Sequence, residues 1–425
     1  MKGPTGLIVL SGVLLGALEF SAEPAAAQAQ FTIVYSFRGY PSDGAIPIAP
    51  LVLGGQVFYG TTFASGDTRC GCGAVFSLTP PATAGGAWIE EILHKFAGYG
   101  DGATPESGLT LSADGVLYGT TDAGGNLNLG TVYSMTPPAS PGGSWTETIL
   151  HSFGANQDGA NPVGGLVIGL SGALYGTTWS GGQYNGGTVF ALFPPASPGG
   201  VWTEQVLYNF TGGLDGRYPQ ATLAIDPASG TLYGTTTYGG SSLDGVAFML
   251  TPPGTPGGAW AETVLHNFTG GIDGLNPNSL VLGSKGVVYG TSHGVPGVNL
   301  GAVYSLSPPQ SSGSGWAIDV LHDFFGGADG SQPAAGLLIG ANNVLYGTTT
   351  GGGGGPCQGG CGTVFSLTAP AIQGGAWTEA VVHSFGGTSS VPSAPLVTGQ
   401  NGAMYSTAKY GGARGVGAVY SVLLP

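Results

Sequence analysis

The chain has 425 residues, of which 84 are Gly and 30 are Pro, and only 7% of its residues are charged. A formal net charge of −14 excludes the basic surface that nucleic acids and anionic membranes require. Glycine and proline at this level are typical of disorder unless they recur at a fixed period, whereas 42% hydrophobic residues are enough to bury a core. The spacing of the glycines therefore decides the class of protein.

The first 29 residues have the pattern of a secretory signal peptide. Lys2 precedes the apolar run Leu7–Leu18, which is too short to span a bilayer, and Ala-x-Ala cleavage sites end at Ala27 and Ala29. No later apolar run reaches 18 residues, and no cysteine precedes Cys70 to carry an N-terminal lipid anchor. We therefore predict cleavage after Ala29 and export of residues 30–425 from a bacterial cytoplasm, to the periplasm or beyond, with no membrane span.

Four cysteines form two distant pairs, Cys70 with Cys72 and Cys357 with Cys361. An oxidising compartment favours a disulfide within each pair, although Cys70–Cys72 would close a small ring. A four-cysteine zinc site is the alternative, but the CxC and CxxxC spacings are not those of zinc ribbons. We predict disulfides and no metal site.

A Tyr-Gly-Thr-Thr motif and its variants recur seven times along the chain. The motif begins at Tyr59, Tyr118, Tyr175, Tyr233, Tyr289, Tyr346 and Tyr405, at intervals of 56–59 residues. Seven such units fill the chain after Ala29, so no further domain is expected. The glycines are therefore interpreted as turn residues of a repeat fold.

The third unit shows the pattern of each repeat, with four short runs of β-branched and aromatic residues bounded by Gly, Pro or Ser. The runs are 165–168, 173–178, 187–192 and 202–210. The last run alternates polar and apolar residues as an edge strand does, whereas the first is apolar and indicates an interior strand. No segment has the length and period of a helix.

Seven four-stranded units predict an all-β, seven-bladed β-propeller with blades of about 57 residues. After residue 29 the chain starts on the outer-strand pattern, at Phe31–Phe37, and it stops on the third-strand pattern, at Val419–Leu423. We therefore expect the N-terminal strand to complete the last blade and close the ring. An open β-solenoid is the alternative architecture.

Three kinds of residue recur at fixed places and are interpreted as structural. The Asp of an Asp-Gly-x-x-Pro motif fits a turn, with a ring of calcium ligands as the functional alternative. His exchanges with Tyr at a second place, which favours a packed aromatic ring over a metal ligand or base. Trp at a third place is expected to anchor outer strands, with Phe31 taking that place in the N-terminal strand. The residues are Asp43, Asp101, Asp158, Asp215, Asp273 and Asp329; His94, His151, His266, His322 and His383 with Tyr35 and Tyr208; and Trp88, Trp145, Trp202, Trp260, Trp316 and Trp377.

The place directly after the Thr-Thr pair varies from unit to unit. In a propeller this loop and the Asp-Gly loop are expected to open on one face, so the variable side chains would form a rim around the channel mouth. An exposed Trp with a nearby carboxylate suits a carbohydrate surface. We therefore select Asp122, Trp179, His293 and Lys409 as candidate ligand-binding residues, with unselected loop variation as the alternative. The full set is Phe63, Asp122, Trp179, Thr237, His293, Thr350 and Lys409.

The repeated unit, LYGTTxxGG…GTVFxLxPP…GGxWTExVLHxF, resembles the GloVer (Gloeo/Verruco) tandem-repeat family of exported bacterial β-propeller-like proteins. The resemblance covers nearly all of residues 31–425. It implies a secreted repeat protein, often with a C-terminal sorting anchor, whereas this chain ends at Pro425 directly after a strand pattern. It implies no established activity and no catalytic residues.

The sequence favours an exported, non-enzymatic, monomeric protein that binds a glycan or an extracellular protein on its loop-rich face. A polysaccharide-active enzyme, a glycoside hydrolase or lyase with carboxylates at the channel mouth, is one alternative, and a structural envelope protein without a discrete ligand is another. Asp122 and Asp67 are acids outside the repeated places, but they have no evident third partner. No G-x-S-x-G elbow, metal triad or P-loop occurs, so we predict no catalytic residue and no cofactor.

Overall fold

A computed structural model describes residue 1 and residues 29–425, apart from residues 66–69, 84, 141, 155–156, 198, 256, 312, 373 and 388. Residues 2–28, nearly all of the predicted signal peptide, lie outside the described residues. Within the part that the structure describes, no helix is long and apolar enough to cross a membrane.

The described chain forms seven antiparallel sheets of four strands, one for each repeat, arranged as a seven-bladed β-propeller. The innermost strands are Val52–Gly54, Thr110–Leu111, Val167–Ile168, Ala224–Ile225, Val281–Leu282, Leu338–Ile339 and Val397–Thr398. The second strands are Val57–Thr62, Leu117–Thr121, Leu174–Thr178, Leu232–Thr236, Val288–His293, Leu345–Gly351 and Met404–Ala408. The third strands are Ala74–Thr79, Thr131–Thr136, Thr188–Phe193, Val246–Thr251, Ala302–Ser307, Thr363–Thr368 and Ala418–Leu423. The outer strands of blades 1 to 6 are Ile89–Lys95, Thr146–Ser152, Thr203–Asn209, Ala261–Asn267, Ala317–Asp323 and Thr378–Ser384.

The outer strand of blade 7 is the N-terminal strand Gln30–Ser36. It pairs antiparallel with Ala418–Leu423, with Gln30 opposite Leu423 and Ser36 opposite Ala418. The predicted closure of the ring is therefore confirmed, and the two ends of the described chain share one sheet.

Phe31 corrects one detail of the sequence interpretation. It pairs with Val422, at the position where Met135 pairs with Glu147 in blade 2. Phe31 therefore stands at the glutamate place, two residues after the tryptophan place that we assigned to it. Its ring stacks on His383 of blade 6, with centroids 3.9 Å apart.

The core consists of aromatic contacts between neighbouring blades. A Phe at the end of each outer strand packs edge-on against a Phe or Tyr of the next blade's third strand, with centroids 5.0–5.3 Å apart. These rings are essentially inaccessible to solvent, so they supply much of the apolar burial that holds the ring together. The pairs are Phe37–Phe76, Phe96–Tyr133, Phe153–Phe190, Phe210–Phe248, Phe268–Tyr304, Phe324–Phe365 and Phe385–Tyr420.

The repeated Trp and Gly residues serve the same packing. Trp145, for example, contacts Tyr59 of the preceding blade at 5.6 Å between centroids, as the outer-strand interpretation requires. The Gly of the Tyr-Gly-Thr-Thr motif leaves room for the buried ring of the third strand. A Cβ on Gly60 would lie 2.6 Å from Phe76 Cζ, so only Gly fits there.

Both disulfides predicted from the sequence are present. Cys70 is bonded to Cys72 and Cys357 to Cys361, each with Cα atoms 5.1 Å apart. All four cysteines are consumed, which rules out the four-cysteine zinc alternative.

Candidate functional site

Two loops of each blade meet on one face of the propeller, which we call the loop face. They are the loop between the second and third strands and the loop that precedes the innermost strand. In blades 1, 2 and 7 a short pair of antiparallel strands links the two loops. The pairs are Gly44–Ala45 with Ala64–Ser65, Gly102–Ala103 with Ala123–Gly124, and Ser389–Ser390 with Tyr410–Gly411. In blades 5 and 6 the segments Leu275–Pro277 and Ser331–Pro333 pair with an extended second strand instead. The opposite face carries tight turns, including the 3-10 turns Ser284–Gly286 and Ala341–Asn343.

Three variable positions of each repeat lie on the loop face. The first follows the Thr-Thr pair, and we call it the rim position. The second, the pre-proline position, precedes the Pro of the Asp-Gly-x-x-Pro motif or its equivalent: Ile46, Thr104, Asn161, Tyr218, Asn276, Gln332 and Val391. The third, the channel position, follows that Pro: Ile48, Glu106, Val163, Gln220, Asn278, Ala334 and Ser393. The channel-position side chains ring the mouth of the central channel.

The pre-proline position has an unusual backbone. All seven residues have φ between 47° and 60°, in the left-handed region, and none of them is Gly. Backbone hydrogen bonds hold these residues there, two for each residue in blades 1, 2, 3, 4 and 7. In blade 3 the Asn161 N–H donates to Leu129 O at 2.8 Å, and Asn161 O accepts from the Trp179 N–H at 2.9 Å. The neighbouring loops thus impose this conformation, and the side chains of Asn161, Tyr218 and Gln332 contact the rim residue of the preceding blade.

The contact between rim and pre-proline side chains is most extensive from blade 2 to blade 4. Trp179 stacks on Tyr218, with ring centroids 5.0 Å apart and planes 15° apart. Arg217 lies over Tyr218 at 5.1 Å and over Tyr238 at 5.7 Å. Asn161 Nδ2 donates to Asp122 O at 3.0 Å. Half-buried aromatic rings therefore stand beside amide and carboxylate groups.

These residues line a cleft of about 280 Å³, which we call the blade 2–4 cleft. Its walls are Glu106, Asp122, Asn161, Val163, Trp179 and Gln220. It shares Glu106, Val163 and Gln220 with the depression of about 270 Å³ at the channel mouth. A ligand could therefore extend from the Trp179–Tyr218 stack towards the central axis.

The two carboxyl groups of the cleft are harder to ionise than free carboxyls. Burial, then the charge of Asp122, raises the pKa of Glu106, while Lys409 lowers it. Burial also raises the pKa of Asp122, against the hydrogen bond from Asn161. Partial desolvation makes these carboxyl groups strong hydrogen-bonding partners for a ligand that displaces water.

The four selected residues are partly brought together. Asp122 and Trp179 line the blade 2–4 cleft, whereas His293 lines the channel mouth. There His293 Nδ1 lies 3.1 Å from Gln332 Oε1, and burial lowers the pKa of its imidazole. Lys409 Nζ lies 5.3 Å from the centroid of Tyr410. Their part in ligand binding stays a prediction.

The recurring Asp and His residues form hydrogen bonds at the blade junctions. Asp101, for example, accepts from the backbone N–H groups of Ala97 at 2.8 Å and Gly102 at 2.7 Å, and lies 3.3 Å from His94 Nε2. Among the described residues, His94, Asp101 and Glu147 bring ligand-type atoms within 4.8 Å of one another. Both oxygens of Asp101 are already engaged, and Ile318 replaces the Glu at the equivalent junction of blades 4 and 5. The arrangement fits turn and junction hydrogen bonding better than metal binding.

The repeats match those of a known protein family. The model of the Gloeobacter/Verrucomicrobia repeat matches residues 19–144, 71–299, 139–355 and 255–424. The chain belongs to the Gloeobacter/Verrucomicrobia repeat family. No curated protein matches its sequence.

Solved structures with similar folds share little sequence with this member of the repeat family. The extracellular domain of a proposed hybrid two-component system of B. thetaiotaomicron is 12% identical with a TM-score of 0.55, over 93% of this chain and 42% of that one. A proposed 6-phosphogluconolactonase of Bacteroides uniformis is 12% identical with a TM-score of 0.51, over 81% of this chain and 86% of that one. At this identity the likeness supports the propeller fold alone.

Sequence reasoning missed the other cleft residues of this repeat protein. Glu106, Asn161 and Gln220, together with Tyr218 of the adjoining stack, flank the Pro of the Asp-Gly-x-x-Pro motif, which the sequence pattern presents as a turn. A signal was available, because the residues after the Pro differ between all seven units, and those before it repeat only as Asn161 and Asn276, while the Pro recurs.

Proposed function

We propose that this repeat protein is an exported, non-enzymatic β-propeller that binds a glycan in the blade 2–4 cleft. The observation that carries the proposal is the Trp179–Tyr218 stack beside Asp122, Asn161 and Gln220. Aromatic rings offer an apolar face to the C–H groups of a sugar, and amide and carboxyl groups bond its hydroxyls. The net charge of −14 favours a neutral or basic glycan over an acidic one.

The strained pre-proline backbone supports a functional loop face. Left-handed residues cost roughly 1–2 kcal/mol each when they carry a β-branched or bulky side chain, and Gly would relieve that cost. A chain with 84 Gly places none at these seven positions. Side chains retained against a backbone preference are expected where a surface is used.

A glycan array with the purified protein tests the proposal, with Trp179→Ala as the decisive variant. Loss of the stacking ring should weaken binding by about 2 kcal/mol, roughly 30-fold. Phe325→Ala is the matched control, because Phe325 is an exposed ring in a different inter-blade loop of the same face and lies outside the cleft. Failure to bind any glycan, or equal losses in both variants, would refute the proposal. Binding to an extracellular protein instead would support the other partner class.

A polysaccharide-active enzyme is a second candidate, favoured by one observation. Glu106 and Asp122 are two half-buried carboxyl groups with raised pKa values in one cleft, as general acids and bases often are. Release of reducing ends from a polysaccharide, abolished by Glu106→Gln, would establish this activity. Binding without product release would leave the binding role.

Export is part of the proposal. It rests on the signal-peptide pattern and the two disulfides, and it is compatible with the likeness to an extracellular domain. Mass spectrometry of the protein recovered from the periplasm and the medium should find an N-terminus at residue 30. An uncleaved N-terminus in the cytoplasmic fraction would contradict export.

A further inference from the structure

A second pocket opens on the face opposite the loop face, where blades 7 and 1 meet. We call it the closure pocket, since the N-terminal strand forms one wall. Its volume is about 370 Å³, within the range of roughly 300–1,000 Å³ that small-molecule sites occupy. The rim, pre-proline and channel positions lie at the other end of the blades, so this pocket is independent of the blade 2–4 cleft.

The sequence of blade 1 contributes to this pocket. Between the paired residues Leu53 and Phe58, four residues connect the innermost and second strands of blade 1. Five residues connect the equivalent Leu111 and Leu117 of blade 2, and no other blade has fewer than five. The turn at this junction is therefore shorter than at the others.

The apolar wall of the closure pocket contains an aromatic ring that the other blade junctions lack at the same position. Phe58 occupies a position that is aliphatic in the other six blades: Leu117, Leu174, Leu232, Val288, Leu345 and Met404. Its ring lies 4.4 Å from Tyr405 and 6.0 Å from Trp88, centroid to centroid. Phe58 and Tyr405 are buried, and Trp88 is half-buried at the pocket wall.

The polar wall consists of carboxamides and hydroxyls. Gln56, Gln400 and Asn401 line it, with Thr83 and Ser421. Gln400 Nε2 of blade 7 donates to Gly55 O of blade 1 at 2.6 Å, which links the turns of the two blades, and Asn401 Nδ2 donates to Tyr405 Oη at 3.1 Å within blade 7. Among the residues that the structure describes, the lining contains no Asp, Glu, Lys, Arg or His. The pocket thus offers no charge to an ionic ligand.

We propose that the closure pocket binds one uncharged pyranose residue. A pyranose has an apolar face of C–H groups for the aromatic wall and a rim of hydroxyls for the carboxamides. Charged sugars would be desolvated without an opposite charge, and desolvation of that kind is unfavourable. A purely apolar ring would leave the carboxamide wall unpaired, which is also unfavourable.

The repeats themselves supply a variant that fills the pocket. Ser421 is equivalent to Met249 of blade 4, where the Met packs against a core cluster shared by blades 4 and 5. Ser421→Met should therefore fold and occupy the pocket. Ser134→Met is the matched control, because Ser134 is the equivalent residue of blade 2 and lies outside the pocket. Gln400→Ala, which removes a polar group without adding volume, is the second variant.

The test is ¹⁹F NMR of the full chain labelled with 5-fluorotryptophan, in a Trp179→Ala background that disables the cleft on the loop face. Trp88→Phe assigns the Trp88 resonance. The probes are methyl β-glucopyranoside and methyl β-galactopyranoside, with indole as the apolar ring. We expect a saturable shift of the Trp88 resonance with a glycoside, at least tenfold weaker in Ser421→Met, weakened in Gln400→Ala and unchanged in Ser134→Met.

Three outcomes would overturn the proposal. They are the absence of a saturable Trp88 shift with both glycosides, a shift with indole alone, and a glycoside shift that survives in Ser421→Met. If Ser421→Met does not fold, an undiminished shift in Gln400→Ala overturns it instead. Because the cleft on the loop face is disabled, failure here is separate from failure of the proposed function.

Discussion

Five glutamates at the blade junctions should make the stability of the ring fall as the pH rises. We call Glu90, Glu147, Glu204, Glu262 and Glu379 the junction glutamates. Each has a buried carboxylate oxygen, Oε1, without a hydrogen-bond partner in the part of the chain that the structure describes. Burial, then the charge of a neighbouring Asp, raises the pKa of the first four to about 7, and burial raises that of Glu379 as well.

The sign of the effect follows from proton linkage. A carboxyl whose pKa is raised by folding binds its proton more tightly in the folded state, so its contribution is present in full below the unfolded pKa of 4.5 and is lost as the pH rises towards 7. Asp101 and Asp273, whose pKa values are lowered, destabilise the fold only under more acidic conditions, as the pH falls below 3.8. His293 and His383, with lowered pKa values, act oppositely to the glutamates below 6.5, but they are fewer.

The magnitude is a few kcal/mol for the whole ring. A rise in pKa from 4.5 to about 7 would correspond to roughly 3 kcal/mol of folding free energy for a fully desolvated carboxyl. The junction glutamates are partly exposed, and solvent screening reduces this to about 1 kcal/mol each. The free energy of unfolding should therefore fall by about 4 kcal/mol between pH 5 and pH 7.5, for the four glutamates with the largest shifts.

Urea titrations at the two pH values measure this difference directly. The quadruple variant Glu90→Gln, Glu147→Gln, Glu204→Gln and Glu262→Gln should be nearly independent of pH and more stable than the parent at pH 7.5. Glu91→Gln is the control, because Glu91 is an exposed neighbour on the same strand as Glu90. A parent protein equally stable or more stable at pH 7.5 than at pH 5 would refute the reasoning.

Two further predictions concern the ring and its loop face. Phe37→Ala removes a fully buried ring directly after the N-terminal strand and should lower the free energy of unfolding by about 3–5 kcal/mol. Ile89→Ala, at an exposed site, should change it by less than about 0.5 kcal/mol. Equal effects of the two substitutions, measured by thermal and urea unfolding, would contradict the closure argument. Val391→Gly should raise the free energy of unfolding by up to about 1 kcal/mol, because Val391 is a β-branched residue at φ 58°; a loss of stability in the same assay would show that its side-chain contacts outweigh the strain.

The fold was predictable from the sequence because seven repeats show which residue types recur at each equivalent position. The four runs of the third unit agree with the strands to within two residues at each end, and the closure by the N-terminal strand followed from the phase of the two chain ends. The N-terminal strand can be aligned with the other outer strands in two ways: by matching its first aromatic residue, Phe31, to their Trp, or by counting back from Phe37. The first alignment assigned Phe31 to the wrong position. The ladder, which pairs Phe31 with Val422, shows that spacing from the buried Phe37 is the correct guide.

The candidate site was predictable only in part, because a ligand cleft between blades depends on which positions of different repeats meet. The rim position was recognised from its variation, and Asp122 and Trp179 do share a cleft. Tyr218 belongs to a loop of blade 4 and Glu106 to a different loop of blade 2 from that of Asp122, so a repeat alignment places them in columns unrelated to Asp122 and Trp179. Only the left-handed turn before each Pro, which directs one blade's side chain onto its neighbour's rim, brings those columns together.

The two candidate sites, on opposite faces of the propeller, arise in different ways. On the loop face, hydrogen bonds to neighbouring loops hold the pre-proline backbone in a left-handed conformation, and the Pro that follows disfavours the helical region as an alternative. The conformation is therefore set by the repeated frame and is independent of the side chain, so residues as different as Ile46, Tyr218 and Gln332 occupy it. A backbone that accepts different side chains at a fixed place is a scaffold on which a binding surface can change without loss of the fold. The closure pocket arises differently, from a shortened turn and a Phe at one junction, which is why the two sites can be tested by substitutions that do not affect each other.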